Sequence, residues 1–436
     1  MRKVLDWLLN NRTTHQTIAK NTFWLFAGQL IGRLLRATIV IYAARVLGAA
    51  SWGAFSYAVG IAAFLTIFSD IGINALITKE ASRNPELKSQ YLSTAFFVKL
   101  SLLMIFVLGV IIATPYLTNI PEAVSLMPII IFVFAFDTLR DLGTALSRAM
   151  EKMEIEAGIN IFTNFAIALL GFIFLMASRS SESLAIAYAL GSGVGLVAIF
   201  FALRKNFSGL VHNFQRHLIK PILATAWPFG LMGLMGVVML NTDIIMLGWL
   251  TTATKVGYYA AAQKPIQLLY VLPTLLASSI FPVIARLAKA DPEAVKRLLE
   301  KYVALVLLVA VPVIIAGLIF ASQIITILFG AEYAPAILTF RILILTIAIV
   351  YPSTLIGNAI FAYDHQKAFL KFALAAIFGN VFFNAILIPP LGIEGAAIST
   401  VVTQLITNAL IWRKMKGINH FSVWTEIKRQ AHNVLL

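Results

Sequence analysis

Two arginines, Arg33 and Arg36, sit inside the otherwise apolar run NTFWLFAGQLIGRLLRATIVIYAARVL at 21–47. Gln29, Arg33 and Arg36 follow i, i+4, i+7 spacing and share one helix face, opposite a face of Phe, Leu and Ile. From a helix start at Phe23, the rise per residue puts Arg33 roughly 15 Å in, near the centre of a hydrocarbon layer about 30 Å thick. Each arginine at that depth costs about 2.5–3.5 kcal/mol on insertion scales. The pair is therefore expected to face a polar, water-accessible cavity, and a cationic cavity at the midplane suits an anionic cargo.

Three further cations fall within apolar spans. Lys264 lies roughly 12 Å from the outer end of its helix, too deep for easy snorkelling, and is expected in the cavity. Lys99, about two turns from the inner end of its span, fits either snorkelling to headgroups or a cavity wall. Arg341, near an outer end, fits either an interfacial anchor or the cavity. Three acids complete the set. Asp70 and Asp137, near inner ends, read as helix caps or partners of Arg83, Arg140 or Arg148. Asp243 is deeper, in NTDIIMLGW, where it either pairs with Lys264 or binds a coupling cation, pairing being the simpler reading because an isolated buried carboxylate tends to neutralise.

Other chemistries are poorly provided for. The chain has no cysteine, which excludes disulfides, thiol nucleophiles and cysteine metal ligands. Its six histidines, His15, His212, His217, His365, His420 and His432, all fall in segments expected to be cytoplasmic, without metal-ligand spacing. No Gly-rich phosphate loop is present. Neither a metal, a cofactor nor catalysis is expected.

The elements that must position these residues are membrane helices. With 60% hydrophobic and only 12% charged residues, the chain reads as polytopic, so its net charge of +15 reflects orientation and anionic headgroups, not nucleic acid. Apolar spans are expected near 23–47, 52–77, 90–113, 123–146, 157–177, 183–203, 222–249, 256–282, 302–320, 336–361, 369–388 and 392–412. Asp137, Arg140 and Asp141 interrupt the apolar pattern on which the fourth and fifth spans rest. The breaks expected inside, together with the termini, hold 26 of the 34 lysines and arginines, Arg140, Arg148 and Lys152 among them. Those expected outside hold Arg45, Arg179 and Lys255. This alternation places both termini in the cytoplasm.

WGAFSYA at 52–58 and VGYYAAA at 256–262 echo each other at an offset of 204, each opening a span after a short outer loop. The offset superposes the first span on the seventh. An even six spans per half gives two lobes of parallel orientation, related by a pseudo-twofold along the membrane normal and facing a central cleft. The expected plan is a cytoplasmic amphipathic segment at 1–20, an N-lobe at 21–203, a basic cytoplasmic linker at 204–221, a C-lobe at 222–413 and a cytoplasmic tail at 414–436. Pro228, Pro265, Pro273, Pro312 and Pro352 stand inside spans, where they permit kinks.

The run from Asn21 to Ala58, followed by SDIGINALITKEASR, resembles the start of Wzx-type polysaccharide-repeat flippases of the multidrug/oligosaccharidyl-lipid/polysaccharide exporter superfamily. NTDIIMLGWLTTATKVGYYAAAQKPIQLLYVLPTLLASSIFPVIARL is similar to that family's seventh and eighth helices, and GNVFFNAILIPPLGIEGAAISTVVTQL to its eleventh and twelfth. The resemblance covers essentially the whole chain, and it is the order and spacing of these stretches that carry it. It implies transfer of undecaprenyl-diphosphate-linked oligosaccharide between leaflets of the bacterial inner membrane, with Arg33, Arg36 and Lys264 mapping onto a cationic cavity for the diphosphate. Arginine suits that headgroup because its planar fork donates two hydrogen bonds at once. Gln29, Asn74, Asn241, Thr242, Gln263 and Gln267 are then candidate sugar contacts. Expected partners are the lipid-linked oligosaccharide and membrane lipids, with a polysaccharide polymerase and a chain-length regulator beside them.

Other functions make different demands. A drug–cation antiporter of the same superfamily needs acids in its cavity, whereas the deepest charges here are basic. Lipid II flippases usually have fourteen helices and denser cavity arginines. A polymerase or ligase carries a large periplasmic loop, and the outer breaks here are short.

Overall fold

The computed structural model describes residues 14–84, 86–363 and 365–422. The expected amphipathic segment lies mostly outside these residues, as does the tail beyond 422. Among the described residues the regular structure is helical throughout. Eleven helical stretches are long and apolar enough to cross a membrane, and the first, Gln16–Arg83, holds both of the first two expected spans. The molecule is an all-α, multi-pass membrane protein with about twelve spans.

Helix α1 (Thr14–Asp70) is broken at Gly48, whose φ of 73° and ψ of 171° reverse the chain between the first two spans. Gly72, at φ 87°, starts α2 (Ile73–Arg83). There follow α3 (Lys88–Leu117), α4 (Pro121–Ala149), α5 (Met153–Ala177) and α6 (Ser181–Ala202). Proline at the first turn of α4 and the Ser180 hydroxyl accepting from the Ser183 amide at α6 mark two of these starts. Then come α7 (Ile219–Leu250), α8 (Ala253–Leu269), α9 (Val271–Ala290) and α10 (Pro292–Ile319). The chain closes with α11 (Ala321–Phe329), α12 (Ala336–Ile344), α13 (Thr346–Ala362), α14 (Gln366–Leu391) and α15 (Ile393–Asn419).

Of the span-internal prolines, Pro228, Pro265, Pro312 and Pro352 are each carried within one continuous helix. The eighth span is interrupted at Tyr270, three residues ahead of Pro273, and the tenth at Leu345, a full two turns ahead of Pro352. Pro273 has no N–H for the Leu269 carbonyl four residues earlier. The Tyr351 hydroxyl supplies the missing donor at 3.0 Å, so the break is satisfied from a neighbouring helix.

The described residues divide into two compact units, 1–241 and 242–436. The division falls inside α7, downstream of the 204–221 segment that the charge pattern marks as a linker. That segment is itself tied to α3. Thr94 Oγ1 accepts from the Gln215 amide at 3.0 Å, and Ser93 donates to the Leu210 carbonyl.

Within the first unit, α1 lies directly against α5. A Cβ on Gly28 would stand 2.7 Å from Ala157 Cα, and one on Gly32 would stand 3.0 Å from the Asn164 amide nitrogen. Without a hydrophobic driving force between helices in lipid, small residues of this kind set how closely backbones approach. The outward face of α3, by contrast, exposes Met104, Ile105, Leu108 and Ile112, as a lipid-facing surface should. Two lysines are wholly buried, each with an acid. Lys20 Nζ lies 3.0 Å from Glu154 Oε2, and Lys99 Nζ donates at 2.7 Å to both Asp70 Oδ1 and Asn74 Oδ1. Lys99 thus ties α3 to the end of α1 and the start of α2; it neither snorkels nor lines open space.

Gly28→Val is expected to lower the melting temperature of the detergent-purified protein by several degrees, because the added branches meet α5 backbone; an unchanged melting curve would contradict the α1–α5 contact. Lys99→Met is expected to cost about 2–3 kcal/mol by leaving Asp70 unpaired. Much of that loss should return in the Lys99→Met/Asp70→Asn double variant, measured by the same melting assay.

Candidate functional site

Gly28, Gly32 and Arg36 recur every four residues and form the stripe of α1 that meets α5. The close approach made by the glycines brings two asparagines of α5, Asn160 and Asn164, onto that stripe. Asn160 Nδ2 donates to the Gly28 carbonyl at 3.1 Å, and Asn164 Nδ2 donates to Asn160 Oδ1 at 2.7 Å. Those bonds orient the Asn164 amide so that its Oδ1 is left to accept from Arg36 Nε at 2.8 Å. The guanidinium carbon stands 4.8 Å from the centre of the Tyr188 ring on α6. Arg36 is held by the Asn164 amide on one edge and is also hydrogen-bonded to Tyr188, and it forms no ion pair with a carboxylate among the described residues. Arg33, one turn earlier, is exposed and makes no recorded hydrogen bond or ion pair there.

A polar pocket of about 270 Å³ opens beside this stripe, inside the first unit. Helix α1 contributes Gln29 and α2 contributes Asn74. Helix α4 adds Arg140, Asp141, Thr144 and Arg148, and α5 adds Glu156, Ile159 and Asn160. The cations in its wall are already matched. Arg140 donates to Asp137 at 2.6 Å and to Asp141 at 3.1 Å. Arg148 grips Glu156 with both edges, Nε to Oε2 at 2.6 Å and Nη2 to Oε1.

This corrects one reading of the sequence. Arg140 does not lie in a cytoplasmic break; it is inside α4, more than two turns before its end, where its two acids permit an uninterrupted helix. Asp70 takes Lys99 as its partner, not Arg83, Arg140 or Arg148. Among the basic side chains of the first unit at these spans, Lys20, Lys99, Arg140 and Arg148 each meet a carboxylate, and Arg33 and Arg36 do not.

The second unit has its own buried charge. Asp243 on α7, 5% exposed, accepts from Asn384 Nδ2 at 2.8 Å, from Asn380 Nδ2 at 3.1 Å, and from the hydroxyls of Tyr259 and Thr400. Two Asn amides come from α14, the tyrosine from α8 and the threonine from α15. A carboxylate has about four lone-pair positions, and four neutral donors occupy them. Lys264 is not brought to Asp243: it sits on α8 with Nζ 3.4 Å from Gln267 Oε1. Gln263 Oε1 is buried without a recorded partner. Asn241 returns its amide to the Val237 carbonyl of its own helix, and Thr242 is buried. Arg341 is exposed in the last turn of α12.

The residues missing from the sequence reading are Asn160, Asn164, Asn380, Asn384 and Tyr188; Arg140 and Arg148 enter it only as ion-pair partners and loop charges, and Arg140 does meet Asp137. A signal for the asparagines was present: Asn-x3-Asn occurs at 160/164 in the fifth span and at 380/384 in the eleventh, a four-residue polar spacing inside apolar helices in the fifth member of each half. In both places the second amide donates to the first, and both pairs hold a midspan charge.

Comparison with known proteins gives these sites a context. A Haloferax volcanii protein named as a low-salt glycan biosynthesis flippase is 21% identical over 404 residues, 90% of this chain and 82% of its own. A Shigella flexneri protein named as an O-antigen transporter is 25% identical over 336 residues, 73% of this chain and 78% of its own. Among solved structures, an inward closed lipid II flippase superposes with a TM-score of 0.73 at 16% identity, over 94% of this chain and 91% of that one. An inward-facing multidrug transporter gives 0.71 at 14% identity, over 92% and 99%. At such identities the likeness carries the fold. Residues 18–288 match the polysaccharide biosynthesis protein family, and over that majority of its length, including the whole Arg36–Asn164 arrangement, the chain belongs to it.

Proposed function

We propose that the protein is a flippase that carries undecaprenyl-diphosphate-linked oligosaccharide repeat units from the cytoplasmic to the periplasmic leaflet. It does so by alternating access, within a bacterial inner membrane and with both termini in the cytoplasm. The observation that carries this reading is a contrast among six cations of the first unit's helices: Lys20, Lys99, Arg140 and Arg148 each lie on an acid, while Arg33 and Arg36 form no ion pair with a carboxylate among the described residues. A fork of donors held at membrane depth favours a diphosphate, whose oxygens accept two such bonds at once. Membership of a polysaccharide biosynthesis family and relatives named as flippase and O-antigen transporter support the same cargo class. Lys264 is a third candidate for the headgroup, on the second unit. A surface-polysaccharide polymerase and chain-length regulator would act on the delivered product.

A drug–cation antiporter needs an acid available to cationic cargo. The most deeply placed acid, Asp243, already accepts four hydrogen bonds, which favours a role in energy coupling over one in cargo binding. There it would take up a proton or a small cation by exchanging one of its neutral donors. The chemistry is transport, without a covalent step.

In a strain lacking its own repeat-unit flippase, the Arg33→Ala/Arg36→Ala protein, expressed at normal level, should restore less than about a tenth of the surface polysaccharide. Each single variant should show an intermediate loss, as expected when charge-assisted bonds of roughly 1.5–3 kcal/mol are removed. Full restoration by the double variant would rule the reading out. Asp243→Asn is expected to remove the stimulation of transport by an imposed proton or sodium gradient in proteoliposomes while leaving cargo binding in detergent intact. Retention of gradient dependence would exclude the coupling role.

A further inference from the structure

We infer that the pocket framed by α1, α2, α4 and α5 is a subsite for one uncharged pyranose, the sugar nearest the diphosphate. The inference rests on the flippase reading and adds to it where the first sugar goes and what kind of sugar is accepted.

Size comes first. At about 270 Å³, the pocket falls just below the range of drug-sized clefts, a size suited to one ring and not to an oligosaccharide. Position follows from the helices. Gln29 in the wall is one turn, about 6 Å of rise, from Arg33. Asn160, also in the wall, is hydrogen-bonded to the Asn164 that holds Arg36. A ring in the pocket therefore lies within a linkage's reach of a diphosphate on the two arginines.

Chemistry supplies the specificity. Arg140 and Arg148 bring positive charge to the wall, but Asp141, Asp137 and Glu156 cancel it, so the pocket has no surplus for an anion. It has polar groups still to spend. Asp141 is half-exposed with only Oδ1 taken, by Arg140. Gln29 is exposed and its amide has no recorded partner among the described residues. The Asn74 amide nitrogen remains after its oxygen has accepted from Lys99. A carboxylate oxygen and two amides accept from and donate to vicinal hydroxyls. A uronic acid in the same place would bring a third carboxylate against Asp141 and Glu156, an opposed like charge.

The test uses full-length protein in lipid nanodiscs and three synthetic short-chain prenyl diphosphates, carrying no sugar, a neutral hexose or a hexuronic acid, with affinity measured by titration. The wild-type protein should bind the hexosyl probe about tenfold more tightly than the sugarless one, and the uronosyl probe no more tightly than the sugarless one. Thr144→Phe, which fills the pocket without replacing a charged residue, should erase most of the hexose gain while leaving sugarless affinity unchanged, and Asp141→Asn should lower the ratio of hexosyl to sugarless affinity. Sugarless binding without any hexose gain in wild type overturns the subsite and leaves the diphosphate site standing. A uronosyl probe bound as tightly as the hexosyl one overturns the specificity, and variants that weaken all three probes equally overturn the assignment of the pocket. Failure of wild type to bind the sugarless probe overturns the diphosphate reading, and this inference with it.

Discussion

A charge inside a membrane protein must be matched, hydrated or bound, because hydrocarbon offers it nothing. The first unit sorts its cations by that constraint. Lys20 and Lys99 are buried completely and are neutralised by Glu154 and Asp70 at hydrogen-bond distance, which makes them parts of the packing. Arg140 and Arg148 are neutralised by acids of their own helix or the next and stand in a pocket wall. Arg33 and Arg36 alone among these six form no ion pair with an acid among the described residues, although Arg36 is close enough to Asp137 to feel its charge. A buried pair contributes little net stability, yet losing one partner is costly. The matched cations are therefore fixtures of the fold, and the unmatched ones are where an anionic ligand gains most.

The asparagine pairs show how such a charge is held without being cancelled. In the first unit the close packing of α1 on α5 at Gly28 and Gly32 sets the amides of Asn160 and Asn164 in a chain of bonds that ends on Arg36. In the second unit Asn380 and Asn384 turn their nitrogens toward Asp243. An amide presents an oxygen to a cation or a nitrogen to an anion with little change of shape. One spacing, four residues apart on an apolar helix, thus serves a guanidinium in one half and a carboxylate in the other.

Helix breaks follow the same accounting for backbone groups. Gly48 and Gly72 turn the chain at positive φ, where a side chain would be strained. Before Pro273 the released Leu269 carbonyl is met by the Tyr351 hydroxyl, which makes the bend at Tyr270 a supported feature of the eighth span. The other span-internal prolines leave their helices continuous, so proline content alone is a poor guide to where these helices bend.

Hydropathy and charge order, read along the chain, give the membrane class and about twelve spans, and from them an expected depth for Arg33, Arg36, Lys99, Lys264 and Asp243. These are local properties: a span needs only enough consecutive apolar residues, and depth is a count of residues from its end. The fate of each charge is not local. Lys99 meets Asp70 across 29 residues, Arg36 meets Asn164 across 128, and Asp243 meets Thr400 across 157. No spacing rule links such positions, so the expected Asp243–Lys264 pair and the placement of Arg140 in a loop both gave way once the helices were packed. Tertiary structure alone decided which charges meet an opposite charge and which do not, because that depends on which helix faces lie within a hydrogen bond of one another.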